Sequence, residues 1–531
     1  MAPRENVPSP DTTLNEAIVV VTPYSTGCCI ALEMQQRGYN LICLWSAGFS
    51  ETMKTHVPGS CRGKLNYAAV LDEAKTLDET AALVQKVADD NHWTVTAVIC
   101  GGEAGVDLTD ALSEYMGLLS NGTDITNRRD KKVQQELVRA TGLRAVRQSA
   151  GSSLEQVQEF LETEPYPLIV KPVDSAGSDG VKLCRTYEDA KAHILSLLIY
   201  EKVNGGICTE VVCQEFLRVS SPIVPFAISF LSYQSCFTNI KRFSVYLLKG
   251  KEYVVDQASR DGVHKTMMLW QYLKKPANGG DFVYEGMVPI DSESPEAKLL
   301  IPYARGVLDA IGVRNGPSHG EFIMTTEGPC LVEMNVRSHG KDGYWQSLCR
   351  ALTGGYNQVD AAVDAFLDPD AFACYPDKPP SPMLACGQCV DLVSYTSGVV
   401  KSTPGYDIIR SLPSFVCLET HIKVGSKICP TIDLATDNGC LVLISQDPEQ
   451  LARDVATIRQ LEADKTMFEF YENEEQEEEK KEEMTDEDRE WEMKRLLLLS
   501  KPCSLEFHVP SEPNCSKFLV TQGTVPAVQE D

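Results

Sequence analysis

In the first 126 residues, short aliphatic runs alternate with glycine-bearing loops and helical spacing, and that alternation leaves very few folds open. Residues 17–21, 39–45 and 95–100 are apolar runs of strand length, fully buried in type. The loops Pro23-Tyr24-Ser25-Thr26-Gly27 and Gly101-Gly102-Glu103-Ala104-Gly105 lead into helical spacing at 28–37 and 108–116, and a further helix is predicted over 72–89. Strand, glycine loop, helix, strand predicts an open parallel α/β sheet, which takes ligands beyond the carboxyl ends of its strands. Ser25 and Glu103 are therefore candidates to face a substrate. Neither loop has the G-x-G-x-x-G spacing, which argues against a nicotinamide cofactor.

The texture changes near residue 127. A charged helix is predicted over 129–141, then a strand at 168–171, a Gly/Ser loop at 174–180, a strand at 181–184 and a helix at 188–199. Strands follow at 211–217, 252–258, 264–272, 320–325 and 330–336, with a helix at 358–366. The Pro-rich stretch 369–382 reads as a linker, and 383–470 as a smaller α+β unit ending in a helix at 448–467. Residues 1–14 lack the basic and apolar regions of a secretory signal, and no run of about 20 apolar residues suggests a membrane span.

With 49 Lys+Arg against 75 Asp+Glu the net charge is −26, which argues against a nucleic-acid partner. Residues 472–490 hold 12 acidic and 3 basic side chains, so the tail 471–531 reads as solvated and flexible. Nineteen scattered cysteines, many in apolar runs, suggest reduced thiols in the cytoplasm. Cys386 and Cys389 lack a second pair and read as strand residues rather than a zinc half-site.

The chemistry concentrates around Glu327-Gly328-Pro329. Glu321 and Glu333 are equidistant from Glu327, so a hairpin turning there sets them opposite one another. Asn335 and Arg337 follow at two-residue steps and share a face with Glu333. Two carboxylates and an amide oxygen make an all-oxygen site suited to magnesium, and Arg337 offers a fork for a carboxylate or phosphate oxygen. Lys171 ends an apolar strand directly before the loop Asp174-Ser175-Ala176-Gly177-Ser178-Asp179-Gly180, an arrangement suited to polyphosphate. Alone, the cluster Arg128, Arg129, Lys131 and Lys132 reads as a solvated face, and His264, His319 and His339 read as structural.

Taken in order, Lys131, Val-Lys171-Pro with its loop, Gln-Glu215-Phe-Leu217, Gly-Lys-Glu252-Tyr and Glu321…Glu333-Met-Asn335-Val-Arg337 resemble the ATP-grasp superfamily. Asn-Arg-Arg-Asp-Lys, Asp-Ser-Ala-Gly-Ser-Asp-Gly-Val, Tyr253-Val-Val-Asp256 and Leu-Val-Glu-Met-Asn-Val-Arg resemble its branch of L-amino-acid ligases and carnosine-synthase-like enzymes. The resemblance implies a pre-ATP-grasp α/β domain (15–126), a two-lobed ATP-grasp domain (127–368) and a small C-terminal α+β subdomain (383–470). It implies that Lys131 and Lys171 hold phosphates and that the loop with Ser175, Gly177 and Ser178 closes over them. Glu215 and Leu217 would meet adenine through the main chain, and Glu252 the ribose. Glu321, Glu333 and Asn335 would ligate Mg2+ or Mn2+, with Arg337 and Lys171 serving the reaction itself. The implied activity is ATP-dependent joining of a carboxylate to an amine through an acyl phosphate, with amino-acid-like substrates and room for a homodimer. Purine-pathway or carboxylase-like chemistry and an inactive nucleotide-binding scaffold are the alternatives. One stretch departs from the pattern. Residues 218–248 separate the adenine segment from Glu252, and residues 216–251 contain no Asp or Glu at all. The stretch reads as foreign to the working enzyme.

Overall fold

The computed structural model describes residues 15–125, 128–173, 180–199, 207–217, 251–434 and 436–471. Ser175, Gly177 and Ser178, the stretch 218–248 and the acidic tail thus lie outside the described residues.

The first unit is the expected parallel sheet, in the order Ala69–Asp72, Asn40–Trp45, Glu16–Val21, Thr94–Cys100. The edge strand Ala69–Asp72 was not predicted, because four residues alternating between half-buried and exposed give almost no periodic signal. The helix assigned to 72–89 begins later, at Leu77–Asn91, where the Thr76 side chain accepts the Glu79 amide and caps it. The two glycine loops meet at the carboxyl ends of the strands. A Cβ on Gly27 would lie 1.9 Å from the Gly101 carbonyl oxygen, so only glycine permits this approach.

A second, antiparallel sheet runs Gln148–Gly151, Val211–Glu215, Leu168–Pro172, Lys182–Cys184. Helices Leu154–Thr163 and Tyr187–Leu197 cover it through Val157, Leu161, Ile194 and Leu197.

The largest sheet has eight antiparallel strands: Gly328–Asn335, Gly316–Thr325, Glu252–Arg260, Val263–Ala277, Gly280–Pro289, Cys386–Asp391, Cys440–Ser445 and Phe415–Glu419. Helix Pro295–Ala310 packs one face through Leu300, Val307 and Leu308. Helices Thr26–Gln36 and Gln346–Thr353 pack the other around Trp270 and Trp345. Its last three strands come from the C-terminal segment, joined where Gly286 pairs with Val390 and Met287 with Cys389. Gly286 has φ 133°, and a Cβ there would lie 2.1 Å from the Cys389 oxygen. The stretch 369–382 opens with a short helix, Pro369–Cys374, at whose end the carbonyls of Phe372, Ala373 and Tyr375 accept hydrogen bonds from the buried Lys265 ammonium. Cys386 and Cys389 are strand residues, and all sixteen described cysteines are free thiols. Among the described residues no helix is long and apolar enough to cross a membrane.

Candidate active site

A cavity of about 530 Å³ opens between the three sheets. Its walls include Ser25, Glu103, Lys131, Lys171, Glu215, Leu217, Glu252, Glu321, Glu333 and Arg337, so most of the residues singled out from sequence converge on one space.

Glu321 faces Glu333 across the ladder, by a route the sequence reading did not foresee. The hairpin turns between Thr326 and Glu327, since Thr325 pairs with Gly328. An even ladder would then put Glu321 against Val332. A bulge between the Phe322–Leu331 and Glu321–Glu333 pairs inserts Val332 and brings the second carboxylate into place. The Asn335 amide donates to Glu333 Oε1 at 3.3 Å and to the His319 carbonyl at 3.4 Å. Arg337 lies beyond the strand end, where its Nε pairs with Glu103 at 3.1 Å. Glu103 also meets Arg129 at 3.7 Å, so a loop of the first unit touches the site.

Two lysines close over this pair. Lys131 lies 3.2 Å from Glu333 and is buried, which corrects its reading as part of a solvated face. Lys171 is 5% exposed; burial, and then the Lys131 charge, push its ammonium down to about 8, against the pull of Glu333 and Glu321. Gly180 and Val181 also line the cavity.

Glu252 pairs with Lys274 at 2.6 Å and sits diagonally beside Glu321, its ladder partner being Ile323. Burial, and the Glu321 charge beyond the compensating Lys274, raise its carboxyl. Ile323 in turn packs against Leu217 and Val146, so Glu252 stands between the carboxylate pair and an apolar slot. Glu215, at that slot, is held by Arg144 at 2.8 Å and Arg147 at 2.6 Å.

The sequence reading missed Lys274 and the roles of Asp256 and two histidines. Asp256 Oδ1 meets His319 Nδ1 at 2.8 Å, and Oδ2 meets His339 Nδ1 at 2.9 Å. Burial alone would neutralise His319, yet its bonds to Asp256 and Glu321 raise it to about 9. The His319 bond also overcomes burial to hold Glu321 down to about 2. For His339 burial dominates, and it falls to about 4.

The far wall is acidic. Asp391, Glu419, Asp433 and Asp437 line it, with Lys341 paired to Asp391. Burial, and then neighbouring carboxylates, raise Glu419 and Asp437 to about 7. The loop between them and Arg337 runs through Lys341, Asp342 and Gly343, all with positive φ, and the first unit pins it. The Asp342 amide donates to Ser25 Oγ at 2.8 Å, and the Asp342 carboxylate meets His56 at 3.0 Å.

With Glu321 and Glu333 on a hairpin of the large sheet, Lys171 on the smaller antiparallel sheet and Lys131 at the start of helix Lys131–Ala140, this chain has the ATP-grasp fold. It is similar to dapdiamide A synthase of Enterobacter agglomerans, at 25% identity over 455 residues, covering 85% of this chain and 96% of that protein. The L-amino acid ligase from Bacillus licheniformis superposes with a TM-score of 0.62 at 15% identity, over 87% of this chain and all of that one (100%). The biotin carboxylase domain of Hydrogenobacter thermophilus 2-oxoglutarate carboxylase, solved with MgADP, ADP and bicarbonate, gives a TM-score of 0.53 at 13% identity, over 86% of this chain and 90% of that one. No family model matches the chain.

Proposed function

We propose that the protein is an ATP-dependent carboxylate–amine ligase that joins amino-acid-like substrates through an acyl phosphate, releasing ADP and phosphate. The single observation that carries this reading is the convergence of Glu321, Glu333, Lys131, Lys171 and Arg337 on one cavity whose opposite wall is acidic. Lys131 and Lys171 hold phosphates. The main chain at Glu215 and Leu217 meets adenine in the apolar slot, and Glu252, between slot and carboxylates, takes the ribose. The donor set Glu321, Glu333 and Asn335 is all oxygen, which fits Mg2+, with Mn2+ as a substitute. Held there, the ion would supply positive charge against the negative charge developing in the transfer.

Arg337 holds the substrate carboxylate. A carboxylate oxygen attacks the γ-phosphorus and the bond to the β-phosphate oxygen breaks, leaving ADP. The amine then attacks the acyl carbon, phosphate departs, and the amine nitrogen gives up a proton. The acidic wall suits an ammonium-bearing substrate. On this reading 15–126 supplies one substrate wall, 127–368 the nucleotide site and 383–470 the other wall. The free thiols fit a cytoplasmic enzyme.

Incubating the purified protein with ATP, Mg2+ and pooled amino acids should release ADP only when an amine acceptor is present. Mass spectrometry should find a product lighter than its two parts by one water. ADP release that ignores amines, or follows bicarbonate instead, overturns the reading.

The depressed Lys171 gives a pH signature. Phosphate binds the charged ammonium and raises its pKa again, so affinity is level below about 8 and falls above it. The limit is about tenfold per pH unit. Calorimetric ADP titrations on either side of that value check this, and Lys171→Arg, which stays charged, should flatten the profile.

A further inference from the structure

Asp256 has no place in the chemistry described above, yet it is the most enclosed charge beside it. It is 0% exposed in the middle of Glu252–Arg260 and lies directly across the ladder from His319. Its carboxylate takes three donors: His319 Nδ1 at 2.8 Å, His339 Nδ1 at 2.9 Å and Trp270 Nε1 at 2.8 Å. Both imidazoles therefore present Nε2 on their far sides. His319 Nε2 lies 3.3 Å from Glu321 Oε1, and the Tyr272 hydroxyl bridges the pair, 3.3 Å from His319 Nε2 and 3.5 Å from His339 Nε2. The rings pack tilted at 44°, with centroids 4.2 Å apart.

The two histidines belong to different parts of the site. His319 precedes Glu321 by two residues on its strand, whereas His339 follows Arg337 by two on the loop that lines the substrate end of the cavity. One carboxylate thus grips both the strand carrying a metal ligand and the loop carrying the carboxylate-binding arginine. A buried, multiply bonded carboxylate of this kind fixes ring orientation, and a ring bonded to a metal-ligand carboxylate fixes which oxygen is turned to the ion.

We propose that Asp256, with His319 and His339, is a positioning clamp that sets Glu321 and Arg337 relative to one another, a role that rests on the ligase reading above. The same three residues could be mistaken for a metal centre, since their ligand atoms all lie within 4.8 Å of one another. The geometry disfavours that, because the Asp256 oxygens and both Nδ1 atoms are spent on each other.

Two substitutions at His319 separate positioning from packing. Glutamine places an amide nitrogen near the Nε2 position, toward Glu321, whereas asparagine places one near Nδ1, toward Asp256. The readout is Mn2+ binding in the presence of ADP, followed by electron paramagnetic resonance, together with thermal unfolding. The clamp predicts that His319→Asn, which loses the bond to Glu321, and His319→Gln, which loses the bond to Asp256, each weaken Mn2+ binding about tenfold or more, the scale seen when such supporting partners are removed, while both stay folded in the melting curve. His339→Asn, which keeps the bond to Asp256, should preserve KM for the carboxylate substrate, while His339→Ala should raise KM more than it lowers kcat. Equal Mn2+ affinity in wild type, His319→Asn and His319→Gln overturns the clamp while leaving the ligase reading standing. A wild-type protein that binds no Mn2+ with ADP removes both. Stoichiometric zinc in the purified protein, lost in Asp256→Asn, makes the cluster a metal centre and also overturns the clamp.

Discussion

Glu333→Ala should abolish amine-dependent ADP release while leaving the fold in place. The side chain lies opposite Glu321 and pairs with Lys131 at 3.2 Å, so on the proposed reading its loss removes one of two anionic metal ligands and one partner of a phosphate-binding lysine. Metal-borne charge stabilisation in such transfers amounts to several kcal/mol, roughly a thousandfold or more in rate. The fold should survive, because Glu333 is only half-buried on an outermost strand and the hairpin is held by Leu331 and Met334 in the core beneath. A coupled ADP assay beside a melting curve decides the matter. Turnover within a few-fold of wild type would remove the metal assignment.

Arg128→Ala should have the largest effect on stability. The guanidinium is 3% exposed and donates to Asp110 Oδ2 at 2.6 Å and to the carbonyls of Ile311 at 3.1 Å, Gly122 at 3.0 Å and Asn121 at 2.8 Å. It thereby ties the first unit to the end of helix Pro295–Ala310. Removing it leaves the buried Asp110 carboxylate without its counter-charge, and breaking a buried pair in this way costs about 3–5 kcal/mol. Urea unfolding should show that loss. Replacing both partners together, Arg128→Met with Asp110→Leu, should recover most of it. A loss below about 1 kcal/mol for the single variant, the scale of an ordinary surface change, would show that the tie carries little.

How far the site could be read from sequence depended on how local its signals were. Glu321, Glu333 and Asn335 lie on one hairpin, so spacing alone found them, although the equal spacing worked only because a bulge at Val332 offset a turn centred half a residue away. Lys171 announced itself as a charge ending an apolar strand. Arg128 did not, because neighbouring basic residues made it look solvated and nothing nearby in sequence names Asp110 as its partner. Asp256 stood in a branch motif but received no role, for a related reason. Its histidines stand 63 and 83 residues away, and the run Tyr253-Val254-Val255-Asp256-Gln257 carries no local mark of a buried charge. The parallel sheet was legible from its apolar runs. The eight-stranded sheet was not, because its C-terminal strands join through two residue pairs formed across about a hundred positions of chain.

That narrow seam at Gly286 has a chemical consequence. The carboxylate pair and the acidic wall stand on opposite sides of it, yet the hydrogen-bond ladder crosses without a break. A side chain at 286 would meet the Cys389 carbonyl and pry the two halves apart. On the proposed reading, the nucleotide half would still transfer its phosphoryl group, but the acidic wall proposed to hold the amine would no longer face the activated acyl carbon. Water would take the amine's place, and the ligase would idle as a futile ATPase. On the proposed reading, partition between useful synthesis and wasted fuel would then depend on a residue that touches no reactant.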